Sequence, residues 1–386
     1  MAQSFFQHVR ISGISAIVPP HEVRLADELQ YFGGDIAKAR RMTKMAGIDR
    51  RRIAEPGVTA SDLCHQAAEN LILGMKLERE SIDAIIFVSQ GPDYALPATA
   101  CLLQHRLNLS KNCAAFDVNQ GCAGYTYGLW LASSLIESHA CSRVLLLVGE
   151  SLARLTDEDN RIVTPLFGDC GTATLVEYIA ENMPSWFMLG TDGSGAEALI
   201  VPAGRARLPL PRTAKEYAPF CERIKDPQGT PWRLVNTYMR GSDIFEFTMS
   251  VIPEHIQALL RYAGQTPDDI DRLVLHQANM QIVQAVTANA GFPPEKSSSE
   301  TFSAYGNQAG ASIPSAICHT LADTVRSTKV KMLLSGFGVG LSWASAILRL
   351  DNIWCSGICE FEKSADHLSP EAVLAGWQAM VKGTHV

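Results

Sequence analysis

Nothing in the 386-residue chain approaches a membrane-spanning segment: apolar runs such as VLLLVG at 144–149 are a fraction of the roughly 20 residues a spanning helix needs. The opening stretch, MAQSFFQHVRISGISAIVPP, lacks a basic region followed by a long apolar one, so a soluble, cytoplasmic protein is expected. An excess of positive charge is also missing. With 33 Lys and Arg against 40 Asp and Glu, the net charge is -7, which gives no global attraction to nucleic acid or an anionic membrane. Cysteine is plentiful but unpaired in pattern. The ten residues, at 64, 101, 113, 122, 141, 170, 221, 318, 355 and 359, show no C-x2-C spacing, so reduced thiols are expected, with no disulfide framework and no metal site.

What is present is an ordinary globular composition, 47% hydrophobic and 19% charged, long enough for two domains or two tightly fused halves. Short apolar strand candidates (AIIFVS at 84–89, AAFDV at 114–118, VLLLVG at 144–149, RLVLH at 272–276, VKMLLSG at 330–336) alternate with helical patterns at 60–77 and 252–264. That alternation argues an α/β layered fold. The chain also repeats itself. IDAIIFV at 82 aligns with IDRLVLH at 270, NQGCAG at 119 with NQAGAS at 307, and VLLLVG at 144 with VKMLLSG at 330, at offsets of 188, 188 and 186 residues.

The expected organisation is therefore two copies of one α/β unit, residues 1–185 and 186–351, sharing a site to which each contributes a hinge. Residues 202–236, with six Pro and many Arg, break the pattern and read as an irregular excursion of the second half. A tail at 352–386 holds one helix signal, with Ser369 as cap, Pro370 in the first turn and Gly383 at the end.

The stretch AAFDVNQGCAGYTYGLWLA at 114–132 reads as a strand, a polar hinge and a small-residue helix, with Cys122 where the helix begins. Thiolate is the reactive form of cysteine, and a helix start lowers a thiol's pKa. Cys122 is placed as a nucleophile would be. A small core residue at a tight turn is the competing reading.

The ordered motifs NQGCAGYTYGL, LFGDCGTA (166–173), LHQANMQI (275–282), YGNQAGASIP (305–314) and GFGVGLSW (336–343) make the chain resemble the β-ketoacyl-acyl-carrier-protein synthase III family of thiolase-fold condensing enzymes, from about residue 8 to about 350. The resemblance implies a layered αβαβα fold and a Cys-His-Asn triad at Cys122, His276 and Asn307. It also implies an oxyanion hole from the backbone N–H groups of Cys122 and Val339, and substrate contacts at Arg161, Arg41, Asn279, Phe167 and Leu96, the last reaching in from the partner subunit of a homodimer. No second Cys falls within GFGVGLSW, where a thiolase would carry its base.

The implied activity is acyl transfer from an acyl thioester to Cys122, followed by decarboxylative Claisen condensation with a malonyl thioester such as malonyl-acyl-carrier protein. It needs no cofactor beyond acyl-CoA or acyl-carrier substrates. Transfer from Cys122 to an alcohol or amine, or service as a subunit of a heteromeric synthase, are the alternatives.

The chain departs from the family in three places. In ARRMTKMAGIDRRR, Arg41 stands where acetyl-CoA-priming members carry an adenine-holding Trp, and Met45 where they carry Arg. Residues 276–294 contain no Lys or Arg, and Glu246 follows Phe245, so the usual basic face for an acyl carrier protein is weakened. Arg50 to Arg52, or Arg205, Arg207, Arg212 and Lys215, are candidate replacements. Finally, Leu96 precedes Pro97 where members have Phe, leaving room for an acyl group larger than acetyl. A specialised fatty-acid or secondary-metabolite pathway is expected.

Overall fold

The computed structural model describes residues 2–157, 159–211, 213–226, 229–363 and 369–382. Eleven strands build two sheets: β1 (Ala2–Phe6), β2 (Val9–Val18), β3 (Ala84–Val88), β4 (Ala114–Val118), β5 (Arg143–Glu150), β6 (Cys170–Tyr178), β7 (Ser185–Thr191), β8 (Arg272–Leu275), β9 (Lys329–Gly338), β10 (Ser342–Asp351) and β11 (Trp354–Glu360). The first sheet has the order β11-β2-β6-β5-β3-β4 and the second β1-β7-β10-β9-β8. In each, the pair found by the sequence repeat runs parallel: Ala84 faces Val144 in β3 and β5, and Arg272 faces Met332 in β8 and β9.

Parallel strands buried on both faces need continuous apolar sequence, and AIIFV of β3 is buried throughout. The second sheet has no full counterpart of β4. A single parallel bridge, Leu273 to Ser297, stands in its place.

Helices fill three layers around these sheets. Between them lie α4 (Gly124–Glu137) and α7 (Ser312–Thr320), whose Tyr125, Leu129, Ile313 and Ile317 pack with strand residues of both sheets in one core. Outside the first sheet lie α2 (Ala60–Met75) and α3 (Thr99–Arg106); outside the second lie α5 (Gly241–Ala263) and α6 (Met280–Asn289). The order is αβαβα. A further helix, α1 (Ile36–Ala46), is capped by Asp35 and packs near α6, and α8 (Pro370–Val381) is capped by Ser369. Gly383, the expected end of α8, lies outside the described residues.

Three readings from sequence change. The tail is more than one helix, because WCSGICE forms β11, which pairs with β2 in the first sheet; its interior Gly hides the strand pattern. Residues 2–6 belong to the second sheet, not the first. The helix expected from 252 begins at Gly241 and continues through Pro253.

The excursion at 202–236 is irregular but anchored. Thr213 caps a short helix at Ala214–Cys221. Arg223 and Arg233 reach the buried Asp157 at 3.5 and 3.3 Å. The Asn160 amide donates to the Pro231 carbonyl at 3.1 Å, and Thr237 N–H, just beyond, donates to Leu155 at 2.7 Å. Arg212 lies outside the described residues.

Candidate active site

Cys122 follows β4 and precedes Ala123, the cap of α4. His276 follows the last residue of β8, and its backbone N–H continues the ladder to Ser335 at 2.8 Å. Asn307 follows Gly306, whose φ of 74° is natural only to glycine, and where an added Cβ would lie 3.0 Å from the Leu166 carbonyl oxygen. These three side chains, from both halves, line one cavity of about 240 Å³ together with Phe167, Asn279 and Gly338. Gly338 is required by proximity. A Cβ there would come 2.8 Å from the Cys122 sulfur.

Local hydrogen bonds aim the polar groups. Ala309 N–H donates to Asn307 Oδ1 at 2.9 Å, which leaves the amide nitrogen as Asn307's donor. Ser312 Oγ lies 2.8 Å from His276 Nδ1 and accepts the Gln277 N–H at 3.2 Å. A Ser312 hydroxyl that donates to Nδ1 leaves the imidazole proton on Nε2, the tautomer that points a donor away from Ser312. Asn279 caps α6 by accepting Ile282 N–H at 2.9 Å.

Burial decides the protonation states. It pushes the Cys122 thiol up to about 12, outweighing the backbone N–H groups of Val339 and of Cys122 itself, which favour thiolate. Burial also pushes His276 down to about 4, against the Ala309 backbone, which favours the charged form. Burial thus outweighs the lowering of the thiol pKa expected at a helix start. Cys122 stands before the cap rather than in the first turn, and desolvation is the larger effect. The resting pair is a neutral thiol and a neutral imidazole, and Val339 N–H and Cys122 N–H face the sulfur as two fixed donors.

The other expected substrate residues divide. Arg41 and Arg161 do come together, on a surface cavity of about 390 Å³ that Lys38, Tyr31 and Phe32 also line. Leu96 does not line the two cavities at Cys122 or the Arg41–Arg161 cavity and is 82% exposed. Behind Cys122 is a second cavity of about 60 Å³, walled by Leu152, Leu155, Phe167, Val201 and Thr237. Sequence reasoning missed Tyr31, Phe32, Leu155, Thr237 and Ser312. Only Ser312, within a quoted motif, stood next to a signal that could have found it.

Among the described residues no group of three or more His, Cys, Asp or Glu is disposed to hold a metal, and no helix is long and apolar enough to cross a membrane.

Comparison with known proteins finds relatives that span most of the chain. The family model for 3-oxoacyl-[acyl-carrier-protein] synthase III matches residues 116–201, and the model for its C-terminal part matches residues 260–350. The β-ketoacyl-[acyl-carrier-protein] synthase III of Chlamydia caviae is 36% identical over 309 residues, covering 78% of this chain and 86% of that protein. That of Rhodopirellula baltica is 32% identical over 364 residues, 88% of this chain and 98% of that one. A crystal structure of 3-oxoacyl-(acyl-carrier protein) synthase from Burkholderia xenovorans superposes with a TM-score of 0.85 at 36% identity, covering 93% of this chain and 99% of the other. With its two thiolase-fold sheets and a cysteine, histidine and asparagine on one cavity, the chain belongs to the 3-oxoacyl-acyl-carrier-protein synthase III family of acyl-transferring condensing enzymes.

Proposed function

We propose that Cys122 takes an acyl group from an acyl thioester and that His276 and Asn307 then stabilise the enolate of a malonyl thioester as it decarboxylates and attacks the acyl-enzyme. The observation that carries this reading is the pair of neutral side chains on the cavity that holds the thiol: Asn307, whose Oδ1 is already occupied so that its Nδ2 is the donor, and His276, held at Nδ1 by Ser312 so that Nε2 is its other polar atom. Charge moving onto the thioester oxygen is met by donors already in place, which stabilises the transition state without reorganisation. A hetero-nucleophile attacking the acyl-enzyme would need a base instead, and an imidazole pushed down to about 4 is a poor one.

In the acylation step the Cys122 sulfur bonds to the thioester carbonyl carbon, the donor's C–S bond breaks, and the thiol proton passes to the departing thiolate, which leaves as the free CoA or carrier thiol. The N–H groups of Cys122 and Val339 are proposed to hold the tetrahedral oxyanion. Decarboxylation of the extender supplies the carbanion and thioester exchange is redox-neutral, so the substrates bring what the reaction needs and no cofactor is proposed.

Arg41 and Arg161 are proposed to receive the nucleotide of a CoA donor, with Tyr31 and Phe32 offering the aromatic faces that the missing Trp would give. Asn279 and Phe167 are proposed to line the path of the thioester arm. The acyl group fits the cavity behind Cys122, where about 60 Å³ leaves room for about four water-sized groups.

The working protein is proposed to be a cytoplasmic homodimer in which the partner's copy of exposed Leu96 completes the acyl pocket. Its pathway is proposed to be specialised, and its extender to be carrier-bound. The two halves are proposed to divide near residue 185, with 352–386 as an appended tail. Carbon dioxide release from malonyl thioester, dependent on prior acylation of Cys122 and followed by intact mass, tests the proposal. Acyl transfer to an amine or alcohol without carbon dioxide release would overturn it.

A further inference from the structure

The rim of the Cys122 cavity is electrically lopsided. On one side the first turns of α5 supply Ile244 and Phe245 to the cavity, flanked by Asp243 and the exposed Glu246; Asp243 is paired with Arg240 at 2.8 Å. Helix α6, which supplies Gln281 and Ile282, carries no charge. Packed against α6 stands α1, with Lys38, Arg40, Arg41 and Lys44 and no acidic residue in its eleven positions. The end of α1 touches the start of α6, since a Cβ added at Gly47 would lie 2.6 Å from Met280 Cβ.

All four cations are exposed. Lys38 has Asp35 at 3.9 Å, while Arg40, Arg41 and Lys44 make no ion pair among the described residues. In a chain of net charge -7, Arg40, Arg41 and Lys44 form a cluster of cations on a helix that packs against α6, which lines the Cys122 cavity. Lys38 and Arg41 face the proposed nucleotide cavity. Arg40 and Lys44, one helical turn apart on a common side, do not line it. Exposed Ile36 and Met45 lie among these cations.

We infer that α1 is the docking surface for a small acidic carrier protein, which presses its anionic face on Arg40 and Lys44 and threads its thioester arm past α6 to Cys122. The inference rests on the reading above that the extender is carrier-bound. It relocates the basic contact from the charge-free α6 to α1. The anions on α5 give the docking a direction, because a negative partner is drawn to one rim and repelled from the other. Such an encounter is steered over about a Debye length, roughly 8 Å at physiological salt.

The test compares one extender group on two handles, a malonyl-loaded acidic acyl carrier protein and malonyl-pantetheine, with the full-length enzyme. In Arg40→Glu/Lys44→Glu, kcat/KM for the carrier thioester should fall about tenfold or more at low salt, and less at high salt. Turnover of malonyl-pantetheine should stay within about twofold, since that substrate has no protein to dock. Glu246→Lys should raise the carrier rate. Wild-type turnover of the carrier thioester that the double variant retains would overturn the docking surface alone. Wild-type turnover of malonyl-pantetheine but not of the carrier thioester would overturn the carrier reading, and the docking surface with it. If charge reversal prevents folding, Arg40→Gln/Lys44→Gln poses the same comparison, with pantetheine turnover reporting an intact fold.

Discussion

Asn119-Gln120-Gly121-Cys122-Ala123-Gly124 in the first half and Asn307-Gln308-Ala309-Gly310-Ala311-Ser312 in the second each lead into a central helix, and the two turns touch back to back. Their differences fall where the contacts differ. At the fourth position the first turn carries the thiol and the second carries Gly310, because a Cβ on Gly310 would lie 2.8 Å from the Gly121 carbonyl oxygen. At the sixth, Gly124 lies against Val88, with an added Cβ 2.8 Å from the valine methyl. The equivalent pair in the second half is Ser312 and His276, joined at 2.8 Å by a hydrogen bond. One equivalent contact is thus packing in one copy and the orientation of the proposed catalytic imidazole in the other. The duplicated backbone supplies position, and a few side chains assign the roles.

The sharpest way to break this asymmetry is to remove the proposed nucleophile. Cys122→Ala should lower condensation by about a thousandfold or more and abolish the acyl mass shift on incubation with acyl thioester; acylation of the variant at the wild-type rate would mean that the thiol lies elsewhere. Next come the second half's donors. His276→Ala and Asn307→Ala should each raise the condensation barrier by about 3 kcal/mol, roughly a hundredfold in rate, while single-turnover acylation of Cys122 persists. Loss of acylation with retained malonyl decarboxylation would reverse the division of labour between the halves.

A third comparison gives the second half the first half's residue, His276→Val. Because His276 is pushed down to about 4 by burial, the unfolded chain binds a proton between about pH 6.5 and 4 that the folded chain refuses. Stability from this site is therefore complete above pH 6.5 and falls as the pH drops towards 4, by about 3 kcal/mol in all. Urea unfolding at pH 7 and pH 4.5 should show a smaller acid loss in His276→Val than in wild type. His255, also pushed down to about 4 by burial, leaves the rest; equal losses in both proteins would show that His276 is not buried neutral.

The smallest effect is expected from Ser312→Gly, which copies Gly124. It removes the donor to Nδ1, worth about 1 kcal/mol, and should lower condensation several-fold with acylation unchanged. A variant at full wild-type condensation rate would show that the serine does not set the tautomer.

Much of this was legible without coordinates. The parallel pairs β3–β5 and β8–β9 announce themselves as buried apolar runs at a repeated offset, and Cys122, His276 and Asn307 stand in motifs whose order carries over. What escaped depends on neighbours distant in sequence. The protonation of Cys122 follows from burial by both halves, which no local pattern reports. Tyr31 and Phe32 meet Arg161 only through the fold. Asp157 reads as one acid in TDEDNR, yet it is the buried anchor for two arginines of the excursion. The strand at 354–360 was hidden because its register shifts between Cys355 and Ile358, which interrupts the alternation that marks a strand.

That same strand bears on how the molecule is made. β11 is the outer neighbour of β2, so the first sheet is not closed until residues 354–360, which follow all the strands of the second sheet in the chain, have joined it. Until then the nascent protein exposes an open, apolar β2 edge, of the kind that recruits stray strands. The sheet opened by residues 9–18 is therefore sealed by a strand that follows the whole second sheet in the chain.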